Sequence, residues 1–151
     1  MFICSVKMSK RRLALAGAAI LLAILIGVGV ALSSKAEPQR DGGDNAARVA
    51  FLASFGWSGP EEPVETAEVT IPAEFGEVYE NYNRLQLSQG FDLTPYKGKT
   101  AVRYTYTITN YPEQEDMQAH LLVCENRIIG GDISSPRLDG FMCGFSGEPF
   151  E

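Results

Sequence analysis

The sequence predicts a small α+β domain, a mainly antiparallel sheet of about four strands with two helices on one face, preceded by one transmembrane helix. Three observations carry this expectation. An uncharged apolar run fills residues 13–32, the segments after it alternate between helical and strand-like spacing, and their order is helix, strand, helix, then three strands.

The run "LALAGAAILLAILIGVGVAL", Leu13 to Leu32, contains no charged side chain. At about 1.5 Å per residue, its roughly 20 residues make a helix as long as a hydrocarbon core is thick. Lys7, Lys10, Arg11 and Arg12 precede it, and mixed charge comes after it. Positive charge stays on the cytoplasmic side, which predicts an N-terminus inside and the bulk of the chain outside. The expected division is a cytoplasmic tail over 1–12, a membrane helix over 13–32, a flexible linker over 33–45 and an extracytoplasmic domain over 46–151. The linker is expected from the polar, Pro- and Gly-containing "SSKAEPQRDGGD".

The alternative for the apolar run is a cleaved signal peptide, with Ser34 to Ala36 as its small-residue site; such apolar cores are usually shorter, about 7 to 15 residues. Met8 offers an alternative start to Met1. No cysteine ends the run, which excludes lipid attachment there. Ala19, Ala23, Gly27 and Ala31 recur every fourth residue, a stripe of small side chains along which two membrane helices can pack.

Asp44 is placed to N-cap a first helix, "NAARVAFLASFGW", with Val49, Leu52 and Phe55 at helical spacing and Gly56 at its end. "VETAEVTIP" alternates Ala67, Val69 and Ile71 with Glu68 and Thr70, as a half-buried strand does. Pro72 opens a second predicted helix running to Gln89, with a stripe of Phe75, Val78, Tyr79, Tyr82 and Leu85 and Gly90 as its cap. "TAVRYTYTITNY" sets Val102, Tyr104, Tyr106 and Ile108 against Arg103, Thr105 and Thr107. "MQAHLLVC" and "RIIGGDI" then form a hairpin closed tightly through Glu125 and Asn126. Trp57 and the tyrosines suit the core of such a domain.

All 19 acidic residues lie beyond the apolar run, whereas four of the 13 basic ones lie before it, which leaves the outer part with a net charge of about -10. Such a surface repels nucleic acid and anionic lipid heads, so the expected partners are the membrane and a protein or other ligand, not nucleic acid. Cys124 and Cys143 share a compartment that permits a disulfide, yet two cysteines form no framework and each also suits a buried apolar position.

No catalytic set assembles in the sequence. His120 and Cys124 share a strand face but lie about 13 Å apart at about 3.3 Å per residue, too far for proton transfer. His120 therefore reads as an edge-of-core histidine. One histidine and two outer cysteines, without a close-spaced ligand pair, predict no zinc, and the acidic spacing of a calcium loop is missing. No cofactor is expected. The clusters "PEQED" and "GPEEP" read as solvated turns. Gly130 and Gly131 suit a bulge or strand bend, with Asp132 capping or turning the next segment. The candidate binding residues are Asp132, Arg137 and Asp139, all in the loop-like "GGDISSPRLDG".

The segments "FLASFGW", "IPAEFGEVYENYNRLQLSQGFDLTPYKGK", "VRYTYTITNYP" and "IIGGDISSPRLDGFMCGF" together resemble the bacterial family named domain of unknown function 4830. The resemblance covers roughly Ala46 to Phe145 and not the membrane helix. It implies a small membrane-tethered bacterial protein, and it carries over no catalytic residue. The expected role is a signal-anchored, single-pass protein whose outer module binds or senses a ligand and is not an enzyme. The alternatives are an assembly protein that associates through its membrane helix, or an enzyme whose carboxylates converge from separate strands.

Overall fold

The computed structural model describes residues 40–59 and 61–148. The expected tail, membrane helix and most of the linker lie outside them, as do both candidate start residues and the small-residue stripe. Among the described residues, no helix is long and apolar enough to cross a membrane.

Helix α1 spans Asn45–Ser54. Asp44 caps it as expected, its Oδ1 accepting from Ala47 N at 2.7 Å, and Gly56, at φ +87°, comes after its end. Strand β1 is Glu65–Thr70. Helix α2 is Glu77–Ser88, which begins five residues later than Pro72. The delay has a backbone cause. Ile71 still pairs beyond the strand, donating to Lys99 O and accepting from Gly98 N, each at 2.9 Å, so the chain is still held to the sheet just before Pro72, and the helix opens only after Gly76. Glu77 and Glu80 then place acidic charge in the first turn, where the helix dipole favours it. A short turn over Thr94–Tyr96 leads to β2 at Thr100–Thr107, β3 at Gln118–Cys124, β4 at Arg127–Ser134 and β5 at Met142–Cys143.

The five strands form one antiparallel sheet in chain order. β1 and β2 obey the alternation in the sequence; β3 and β4 are buried along most of their length, and β5, two residues long, is too short to show a period. The expected placement of both helices on one face is corrected. Side chains of β3 point alternately to opposite faces, and both sets contain buried apolar residues. Ala119, Leu121 and Val123 join Phe51 and Leu52 of α1, with Tyr106, Ile133 and Phe145, in one core. Leu122 and Cys124 join Ile71, Leu93 and Ala101 in a second, against which Tyr79 and Tyr82 of α2 pack. A strand apolar on both faces needs cover on both, since each buried Leu or Ile contributes about 1.5–3 kcal/mol.

The two cysteines fall in different clusters, Cys124 in the second and Cys143 in the first, and both are free and buried. A disulfide between them does not fit this arrangement. The predicted stripe of α2 is corrected too. Val78 is 83% exposed, while Asn83 and Gln86 are buried.

The outer edge of β4 is covered in three pieces. Residues Arg40 to Gly42, part of the predicted linker, pair with the start of β4: Ile128 N donates to Arg40 O at 2.8 Å and Gly42 N to Asn126 O at 2.9 Å. Arg48 holds this segment from behind, donating from its guanidinium to Gly42 O at 2.7 Å and to the Tyr106 hydroxyl at 2.9 Å. Gln86 of α2 and Gln89, just after its end, reach Gly131 in the middle, and β5 pairs with Ile133 and Ser134 at the end. An edge so occupied offers no template to another strand.

Candidate functional site in the second face of the sheet

The β3–β4 hairpin sets the site. Glu125 and Asn126 form its two-residue turn with φ of 52° and 62°, the left-handed pair that matches strand twist. Continued without interruption, the register from Cys124 opposite Arg127 would bring Gly131 opposite His120. It does not continue so. A bulge between Leu122 and Val123 leaves Ile129 as the extra residue, and beyond it Asp132 faces His120. The bulge expected from the two glycines is present, one residue earlier. The two glycines still serve it: a Cβ on Gly130 would come within 2.6 Å of Gln86 Oε1, and one on Gly131 within 2.0 Å of the His120 carbonyl oxygen. Asp132 neither caps nor turns a segment; it is a mid-strand residue.

The same register extends across the sheet. Glu65 of β1 lies opposite Thr105 of β2, Thr105 opposite His120, and His120 opposite Asp132. These four residues make one polar row over four strands. The Thr105 hydroxyl lies 3.0 Å from His120 Nδ1 and donates to Glu65 Oε2 at 3.4 Å. The hydroxyl thus links Glu65 to the Nδ1 side of His120 and leaves Nε2 as the ring nitrogen outside that contact. Arg103, also on this face, pairs with Glu65 at 3.0 Å. From α2, the Tyr82 hydroxyl donates to Asp132 Oδ1 at 2.9 Å.

Above the row, α2 covers only part of the sheet. The remainder is an open cleft of about 330 Å³, lined by the row's His120 and Asp132, by Arg103 and Ser134, by the rings of Tyr79 and Tyr82, and by apolar Val69, Leu122 and Met142. Asp132 is only 3% exposed, and its Oδ2 has no hydrogen-bond partner among the described residues. Burial raises its carboxyl above the usual range, against the opposing pull of His120, Tyr82, Ser134 and Arg103. Burial lowers the His120 imidazole, with Asp132 acting the other way. The Tyr82 phenol is pushed well up, by burial and then by Asp132. Burial thus biases the imidazole towards its neutral form beside a carboxyl that is costly to ionise.

Of the three residues expected to bind, only Asp132 lies in this cleft. Arg137 borders a separate surface depression with Thr109, Tyr111 and Glu113, and Asp139 is exposed in the loop before β5. The structure does not bring the three together, because Asp132 ends up inside the sheet and the other two beyond it. Sequence reasoning missed Tyr79, Tyr82, Arg103 and His120 as a group. Among the described residues, no three His, Cys, Asp or Glu side chains converge as a metal site would.

A family model described as a domain of unknown function (DUF4830) matches residues 51–133, more than half of the chain. The chain belongs to the DUF4830 family. The span matched to DUF4830 includes Tyr79, Tyr82, Arg103, His120 and Asp132 and stops short of Arg137 and Asp139. A search of curated proteins and a search of solved structures each gave no match.

Proposed function

We propose that this DUF4830 protein is a single-pass membrane protein, N-terminus in the cytoplasm, whose extracytoplasmic domain binds or senses a ligand through the cleft of the second sheet face. The membrane part of this reading rests on the apolar run at 13–32 and the basic residues before it. The binding part rests on one observation, an open concavity with an aromatic wall and a floor of convergent polar groups. Small-molecule sites have that composition, and about 330 Å³ is within their usual size of about 300–1,000 Å³.

The test uses the full chain, purified in detergent, equilibrated with a small-molecule extract of cells, washed, and examined by native mass spectrometry. Ser134→Trp places an indole in the cleft. A small molecule retained by the wild type and lost from Ser134→Trp, at an unchanged thermal midpoint, supports the reading. Equal retention by both overturns it. Labelling of single cysteines placed at residues 9 and 60 in intact cells tests the topology; a reagent that does not cross membranes should reach only the second.

A second reading, an enzyme, is favoured by the row of Glu65, Thr105, His120 and Asp132. A neutral imidazole oriented through Nδ1 beside a carboxyl of raised affinity for protons is the arrangement that general acid and base chemistry uses. It is the weaker reading, since the row contains no activated nucleophile. Release of a chemically altered molecule by the wild type and not by His120→Gln would bring it forward.

A further inference from the structure

Resting on the cleft as a binding site, we propose that its ligand is a neutral saccharide, held edge-on by the Asp132, His120 and Arg103 floor with a ring face against Tyr79 and Tyr82. The guanidinium of the floor is already answered within the protein. Arg103 is paired with Glu65 at 3.0 Å, the Asp132 carboxyl accepts from Tyr82, and His120 is joined to Thr105. A small anion entering this cleft would find no unpaired cation in the floor to repay its desolvation.

The floor does offer unused hydrogen-bonding capacity of both kinds. Asp132 Oδ2 is an acceptor and Arg103 Nε a donor, each buried and without a hydrogen-bond partner among the described residues. His120 Nε2 adds a further hydrogen-bonding nitrogen. Adjacent ring hydroxyls each donate and accept, so they answer such a mixed set, whereas an ammonium only donates and a carboxylate only accepts. The walls point the same way. Tyr79 and Tyr82 present rings 5.9 Å apart at 67°, and Val69, Leu122 and Met142 complete an apolar side. A sugar ring has hydroxyls on its edge and C–H bonds on its faces, and matches a cleft that is polar below and apolar beside.

His120 is the only histidine of the chain, so its imidazole gives one reporter resonance. The full chain, in a detergent without a sugar headgroup, is titrated separately with cellobiose, N,N′-diacetylchitobiose, tyramine and glucuronate while the His120 C–H resonance is monitored. The expected result is a saturable shift with at least one of the neutral disaccharides. Tyr79→Ala should weaken that binding about tenfold at an unchanged thermal midpoint. If Tyr79→Ala does not fold, Ser134→Trp should abolish the shift. Saturable shifts with tyramine or glucuronate alone overturn the saccharide and leave the cleft standing as a site. No shift with any of the four also overturns the saccharide, and the retention experiment with the cell extract then judges the cleft by itself.

Discussion

Gln86 serves Gly131 as a neighbouring strand would. Its side-chain amide accepts from Gly131 N at 2.8 Å and donates to Gly131 O at 3.0 Å, and the residue is 0% exposed. Gln89 donates to the same carbonyl at 2.8 Å. Gln86→Leu therefore leaves the Gly131 carbonyl with a partner and its N–H with none. A buried backbone donor left alone costs about 1–3 kcal/mol, and urea unfolding should show a loss of that size. Gln86→Glu should lose more at neutral pH, where a buried carboxylate faces the carbonyl, and recover part of the loss on acidification.

Two glycines with positive φ should respond differently to alanine. At Gly131 a Cβ would sit 2.0 Å from the His120 carbonyl oxygen, in backbone, and φ is +155°. At Gly56, φ is +87° and a Cβ would meet nothing within 4 Å. Gly56→Ala should cost only the conformational penalty, about 1–2 kcal/mol. Gly131→Ala should cost clearly more and shift the His120 resonance, because the bulge must move. Equal midpoints for the two variants in denaturant would contradict the close packing at Gly131.

The titrating pair gives opposite slopes of stability with pH. Burial lowers His120 in the folded chain, so below the ordinary 6.5 the unfolded chain takes up the proton first, and stability is lost as pH falls through that window. Burial raises Asp132, so above the ordinary 3.8 the folded chain keeps a proton that the unfolded chain has released, and stability is lost as pH rises towards the folded value. His120→Gln should flatten the decline just below pH 6.5, and Asp132→Asn the dependence above 3.8. Urea midpoints of both variants across pH check this; a His120→Gln profile parallel to the wild type near 6.5 would contradict it.

Asp44→Ala removes the side-chain acceptor of Ala47 N and should cost about 0.5–2 kcal/mol, with Asp44→Ser restoring most of it. Circular dichroism during thermal unfolding measures both.

How much of this was legible depended on the range of the signal. The alternation of β1 and β2, the hairpin turn at Glu125 and Asn126, the bulge near Gly130 and the cap at Asp44 are written in neighbouring residues. The row at His120 was also within reach, because a tight two-residue turn fixes the register and one extra residue beyond it moves Asp132 to face His120. Treating His120 along its own strand, and Asp132 as part of a loop, concealed that. The opposite placement of the helices was signalled more faintly, by the unbroken apolar run "LLVC" in β3, which alternation on a one-sided sheet does not produce. Burial of Gln86 and exposure of Val78 result from where α2 crosses the edge of β4, and no local pattern records that.

The pairing of Arg40 to Gly42 with the β3–β4 turn has a mechanical consequence. Tension arriving along the chain from before Arg40 is borne first by the bonds to Asn126 and Ile128, on the hairpin that carries His120 and Asp132. It is borne also by the bond of 2.7 Å from the Arg40 guanidinium to Gly90 O, just past the end of the helix that carries Tyr79 and Tyr82. A pull on the N-terminal side thus loads the floor and the wall of the cleft together, ahead of α1. The joint that fastens the domain to its leading segment is also the point at which strain would reach the pocket.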